Sequence, residues 1–292
     1  MSIVYPGKLS LFCFISPLFS LSFLLLRYIL QLFLVQNLVL ETIYLSIAYF
    51  ILLNVILRIF LKDFLYEVGV RAVFLGCIFS TGLLIAFLAP GTYKVFGWYL
   101  CVLSFFHYSE FLAIAISNPE TLSVKSYILN HSIDYQIAAI ASWTEFFVER
   151  YFFPDLKVTW WVSGFGLMTC IAGEVLRKTA IIQARSGFTH IVQNKRKPDH
   201  KLVTTGVYAW SRHPSYVGWF YWAIATQVIL VNPLCILAYT LASWKFFNDR
   251  IIIEELTLLS FFGEDYVEYQ KKVPTGLPFI KGYLIDNYQD PD

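Results

Sequence analysis

The 292-residue chain is apolar throughout, with 58% hydrophobic residues, 14% charged residues and a mean hydropathy of +0.61. This composition excludes an ordinary water-soluble domain and predicts an integral membrane protein. A formal net charge of +2 gives no reason to expect a nucleic-acid partner.

The uncharged stretches predict an all-α, polytopic membrane protein with about eight transmembrane helices, because roughly 20 apolar residues cross the hydrocarbon core. We place these helices near residues 10–28, 38–61, 70–89, 95–116, 131–149, 158–180, 214–231 and 233–250. Residues 214–244 carry no formal charge and are too long for one span. Asn232-Pro233 interrupts them, since proline lacks the N–H that a helix interior requires, and this predicts a C-terminal helical hairpin.

Basic residues predict the orientation of these helices. With eight spans, the loops on one side hold only Arg27, Lys94, Arg150 and Lys157 of the 22 basic residues, leaving 18 elsewhere. By the positive-inside rule, both termini face the cytosol. The five cysteines are widely spaced in apolar runs, and the sequence predicts neither a disulfide nor a metal site.

Residues 206–224 read GVYAWSRHPSYVGWFYWAI and place a polar motif directly before the seventh helix. Pro214 suits the first turn of that helix, whose free N–H groups, flanked by Arg212 and His213, predict an anion site at the membrane surface. The nearby aromatic residues could stack on a purine or attract a cation. An interfacial aromatic belt with a basic flank explains the same composition.

A second motif follows the eighth helix, where Arg250 and Glu254 lie one helical turn apart. They could form an i,i+4 salt bridge at the membrane exit. Alternatively, Arg250 binds a substrate carboxylate and Glu254 binds an ammonium group or a hydroxyl.

Residues 190–284 resemble the isoprenylcysteine carboxyl methyltransferase family. The resemblance is carried by HIVQNKRKPDHKLVTTGVYAWSRHPSYVGWFYW and by DRIIIEELTLLSFFGEDYVEYQKKVPTGLPFIKGY. It implies methylation of the C-terminal carboxylate of prenylated cysteine, with S-adenosylmethionine as donor and S-adenosylhomocysteine as product. The donor would bind without a Rossmann domain, and the sequence contains no GxGxxG motif that opens a helix after a strand.

The resemblance also implies the site residues. Arg250 matches the residue near the substrate carboxylate, and Glu254 completes the catalytic pair. The implied cofactor-binding residues are Gln193, His200, Lys201, Leu202, Val203, Tyr208, His213, Pro214, Ser215, Tyr216 and Glu254. Residues 186–292 would then form the cofactor and catalytic region, integrated with the six helices of residues 1–185.

The implied partners are farnesylated or geranylgeranylated proteins and the lipid bilayer, and the implied location is the endoplasmic reticulum membrane with the active site facing the cytosol. Two alternatives remain open at this point. One is a sterol reductase or phospholipid methyltransferase of related fold, and the other is a non-catalytic membrane transporter or scaffold.

Overall fold

The computed structural model describes residues 3–29, 38–129, 132–191, 195–196 and 200–283. These residues form α-helices and short 3₁₀ turns with no β-strand, which confirms the all-α prediction. The α-helices are α1 (Tyr5–Ile29), α2 (Leu38–Phe60), α3 (Asp63–Leu88), α4 (Gly91–Ser117), α5 (Ile133–Phe152), α6 (Trp160–Ala184), α7 (Pro214–Leu230), α8 (Pro233–Phe262) and α9 (Glu264–Lys272).

Within the described residues, three helical segments are long and apolar enough to cross a membrane: Ile43–Phe60, Asp63–Leu88 and Gly91–Ser117. Large apolar side chains on the outside of the bundle, such as Leu52, Phe87 and Trp161, are exposed in the isolated chain. Such a surface can face the lipid of a bilayer, because its side chains are apolar and the helical backbone satisfies its own hydrogen bonds. A membrane protein is therefore confirmed, while the count of eight spans stays a prediction.

Glycines let neighbouring helices approach closely. A Cβ atom on Gly173 of α6 would lie 2.6 Å from the carbonyl oxygen of Gly218 in α7, and one on Gly97 of α4 would lie 2.6 Å from that of Gly82 in α3. Such contacts between small residues are a common basis of helix association in membranes. The Gly173–Gly218 contact places α7, at whose start the RHPSY motif lies, directly against α6.

The predicted hairpin is present as α7 and α8. Its turn is held by the buried Lys157, whose ammonium group donates to the carbonyl oxygens of Leu230 and Val231, both at 2.9 Å. The same group donates to Asn232 Oδ1 at 3.0 Å and to Glu149 Oε2 at 2.6 Å. Val231 has a φ of 52°, a costly conformation for a β-branched residue, and these contacts help to hold it.

Three predicted helix boundaries were wrong. The first helix begins at Tyr5 rather than near residue 10, the third begins at Asp63 rather than near residue 70, and the eighth continues to Phe262 rather than ending near residue 250. An apolar window marks the lipid-covered part of a helix and misses the part that continues into water. Arg250 and Glu254 therefore lie within α8, which extends past its predicted membrane segment.

Candidate active site

A first cavity lies among the end of α6, the segment after it, the start of α7 and the end of α8. Every predicted cofactor-binding residue that the structure describes lines it: His200, Lys201, Leu202, Val203, Tyr208, His213, Pro214, Ser215, Tyr216 and Glu254. The eleventh, Gln193, lies outside the described residues. The chain thus gathers residues separated by more than 50 positions into one polar and aromatic chamber.

The RHPSY turn at the start of α7 is positioned by Arg212 and Glu255. The Arg212 Nε donates to Glu255 Oε1 at 2.8 Å, Nη1 donates to the carbonyl oxygen of Val273 at 2.6 Å, and Nη2 donates to that of Lys281 at 2.9 Å. All three guanidinium nitrogens are therefore engaged by the protein. Arg212 also borders the first cavity beside His213, so the prediction that it flanks a ligand anion stays a prediction, while its contacts tie the turn to α8 and the C-terminal segment.

Glu255 is a fully buried hub that the sequence analysis did not single out. Its Oε1 also contacts His213 Nε2 at 3.0 Å and accepts from the Tyr266 hydroxyl at 3.2 Å. Its Oε2 accepts from the Tyr283 N–H at 2.7 Å and from Gln270 Nε2 at 3.1 Å. One carboxylate thus joins the RHPSY turn, α9 and the C-terminal segment.

The charge of Glu255 is stabilised by its neighbours. Burial alone would raise its pKa, but His213 and Arg212 outweigh burial and lower the pKa to about 2. The carboxylate therefore stays ionised at neutral pH.

Arg250 and Glu254 form no direct ion pair within the described part of the chain. The Tyr216 hydroxyl lies between them instead, donating to Glu254 Oε2 and accepting from Arg250 Nε at 2.9 Å. Arg250 Nη2 donates to the carbonyl oxygen of His190 at 2.6 Å. The i,i+4 salt-bridge alternative is wrong, because both charges turn toward Tyr216.

Arg250 faces a second cavity rather than the first. Its lining includes Arg177, Trp219, Phe246 and Arg250. Four residues border both cavities: Phe188, Thr189, Ile191 and Tyr216. The two cavities therefore adjoin at a wall formed by these four residues, with Glu254 lining the first cavity and Arg250 lining the second.

That wall is anchored by a buried charge cluster centred on Glu110 of α4. Arg177 donates to Glu110 through Nε at 2.5 Å and Nη2 at 2.9 Å, and Lys178 Nζ lies 2.5 Å from Glu110 Oε1. His190 Nε2 contacts Glu110 Oε2 at 2.8 Å. Asn118 Nδ2 donates to the carbonyl oxygen of Phe188 at 3.0 Å. The sequence analysis missed this cluster, since its members carry no shared motif.

Fold and site together define a helical integral membrane protein with two adjoining polar and aromatic chambers among its helix ends. The model of the isoprenylcysteine carboxyl methyltransferase (ICMT) family matches residues 166–260. The chain is 53% identical to protein-S-isoprenylcysteine O-methyltransferase of Tribolium castaneum over 281 residues, which cover 96% of this chain and 98% of that protein. It is 52% identical to the Homo sapiens protein of the same name over 234 residues, covering 80% of this chain and 82% of that protein.

A solved structure gives the same result. The eukaryotic intramembrane Ras methyltransferase ICMT matches with a TM-score of 0.91 and 52% identity, covering 96% of this chain and 99% of that one. The chain belongs to the isoprenylcysteine carboxyl methyltransferase family and is a membrane methyltransferase. This assignment favours the carboxyl methyltransferase prediction over the reductase, phospholipid methyltransferase and transporter alternatives.

Proposed function

We propose that this enzyme transfers a methyl group from S-adenosylmethionine to the C-terminal carboxylate of a prenylated cysteine, releasing S-adenosylhomocysteine. The donor would occupy the first cavity and the prenylcysteine the second. The observation that carries the proposal is the wall shared by the two cavities, with Tyr216 linking Arg250 to Glu254 across it.

The lining of the first cavity fits S-adenosylmethionine chemically. The donor carries a carboxylate, an ammonium group, an adenine and a sulfonium. Lys201 and Glu254 offer opposite charges in one chamber, suited to an amino-acid zwitterion, while Tyr208 and Phe261 offer aromatic faces. Burial raises the pKa of the Tyr208 phenol, which therefore stays a neutral donor.

Arg250 is suited to orient the substrate carboxylate. Its Nε and Nη2 are held by Tyr216 and by the carbonyl oxygen of His190, while Nη1 has no hydrogen-bond partner among the described residues. A fixed guanidinium that lines the cavity and has one unengaged nitrogen can bind a carboxylate in a defined direction. Positioning of this kind lowers the activation barrier by restricting the reactants before the reaction.

The reaction requires no catalytic base. A C-terminal carboxyl group has a reference pKa of about 3.3–3.7 and is already ionised at neutral pH. When bound, S-adenosylmethionine supplies an electrophilic methyl group on its sulfonium. The protein holds the carboxylate with Arg250 and excludes water, which favours attack of an anion on a cation because charge is dispersed in the transition state.

The remaining predictions complete the proposal. About eight helices would cross the endoplasmic reticulum membrane, with both termini and the first cavity on the cytosolic side. Residues 186–292 would form the cofactor and catalytic region, supported by the helices of residues 1–185. Farnesylated or geranylgeranylated proteins would be the substrates, with the lipid chain in the bilayer or against apolar parts of the second cavity.

The test is transfer of labelled methyl from S-adenosylmethionine to N-acetyl-S-farnesylcysteine by the purified protein. We expect base-labile label, as a methyl ester requires, and at least 100-fold lower kcat/KM in Arg250→Ala and Glu254→Ala. That loss equals about 2.7 kcal/mol of transition-state stabilisation. Lys271→Ala, on the exposed face of α9, is the matched control and retains activity. Base-stable label on a lipid amine, or NADPH consumption without methyl transfer, would contradict the proposal.

A further inference from the structure

The lining of the second cavity includes polar residues from a different region of the chain. Glu67 and Arg71 of α3 line it, together with Thr121, Ser123 and Lys125 from the connection after α4. None of these residues belongs to the motifs at residues 190–284. These residues form a wall of the cavity that has no role in the proposed binding of the carboxylate or of the methyl donor.

A prenylcysteine extends in two directions from its carboxylate. One direction is the isoprenoid on the sulfur, and the other is the peptide chain upstream of the cysteine. The aromatic residues Trp219 and Phe246 suit an isoprenoid, because burial of apolar surface is favourable. Hydroxyl groups and solvent-exposed charges do not suit it, and they match the hydrogen-bonding groups of a peptide.

Resting on the proposed function, we propose that the α3 and post-α4 wall is a binding site for the two or three residues upstream of the prenylcysteine. Lys125 gives this site its charge preference. Its side chain is exposed and makes no hydrogen bond or ion pair with the described residues. Arg71 is paired with Glu67 at 3.1 Å, so the charge left for a substrate is positive. The site favours peptides with an acidic residue in this upstream segment.

The test compares three substrates in neutral detergent micelles at low ionic strength. They are N-acetyl-S-farnesylcysteine and two farnesylated tripeptides that differ only in carrying Glu or Lys two positions before the cysteine. The wild-type enzyme has the higher kcat/KM for the Glu peptide. Lys125→Glu reverses this preference and shifts the ratio of the two values by about tenfold, because the weak attraction for one peptide and the weak repulsion of the other both change sign.

The matched control is Lys62→Glu, which makes the same change at an exposed lysine that does not line the cavity. It leaves the peptide ratio at the wild-type value, and both variants methylate N-acetyl-S-farnesylcysteine within about twofold of wild type. An unchanged ratio in Lys125→Glu, or an equal shift in Lys62→Glu, would overturn the peptide site alone. Failure of the wild-type enzyme to methylate N-acetyl-S-farnesylcysteine would overturn the proposed function and this site with it.

Discussion

Two adjacent glutamates in α8 have different surroundings, and a matched pair of substitutions separates their roles. The Glu255 side chain is fully buried and accepts five hydrogen bonds, whereas the Glu254 side chain is 29% exposed. Glu255→Gln replaces one carboxylate oxygen with an NH₂ group. In either amide orientation the NH₂ group, which is itself a donor, faces at least two of the donors that the carboxylate accepted. The buried Arg212 also loses its counter-charge.

Breaking a buried ion pair by removing one partner costs about 3–5 kcal/mol. For a protein of this size such a loss lowers Tm by roughly 10 °C. Glu254→Gln keeps an acceptor for the Tyr216 hydroxyl and removes only the charge. We expect its Tm to stay within about 3 °C of the wild type while kcat/KM falls at least tenfold.

The assay is thermal unfolding in detergent, read by intrinsic fluorescence, beside methyl transfer measured at a temperature where both variants are folded. Binding of S-adenosylhomocysteine by calorimetry adds a measure of the first cavity. An unchanged Tm in Glu255→Gln would refute the hub interpretation. Equal losses of Tm in both variants would refute the separation of their roles.

Three further predictions follow from the contacts described above. His190→Leu removes the ring contact with Glu110 and so loosens the His190 carbonyl oxygen that holds Arg250, which should lower kcat/KM about tenfold. In the Arg250→Ala background the same substitution should have little additional effect. Additive losses in this double-mutant cycle would contradict the coupling. Lys157→Ala should lower Tm by about 10 °C, because three acceptors at the hairpin turn lose their donor and Glu149 loses its counter-charge. A Tm equal to that of the Lys271→Ala control would contradict this prediction. Because the pKa of Glu255 falls from 4.5 to about 2 on folding, its contribution to stability is complete above pH 4.5 and is lost as pH falls toward 2. When Tm is measured against pH, the wild type should lose its advantage over Glu255→Gln only below about pH 4.5. Loss of that advantage near pH 6 would contradict the prediction.

The sequence by itself was sufficient for the membrane class, the hairpin and the polar motif at the start of α7. Apolar runs require helices in lipid, and Asn232-Pro233 breaks the last run where α7 ends. The motif at residues 212–216 could be interpreted from its residue types, because its members lie close together at a predicted helix start. Residues 200–203 and Glu254 were added as cofactor-binding residues only through the family resemblance, since spacing alone relates neither of them to the start of α7.

The tertiary structure decided what each charge contacts. Successive residues of a helix point about 100° apart, so Glu254 turns toward the cavity and Tyr216 while Glu255 enters the interior and binds Arg212. Glu110 is separated from Arg177 by 67 positions, and only the packing of α4 against α6 brings them together. The division into two cavities depends on the segment at residues 188–191 and on Tyr216. Neither an apolar pattern nor a local motif encodes such contacts, because they form only when helices distant in the chain pack against one another.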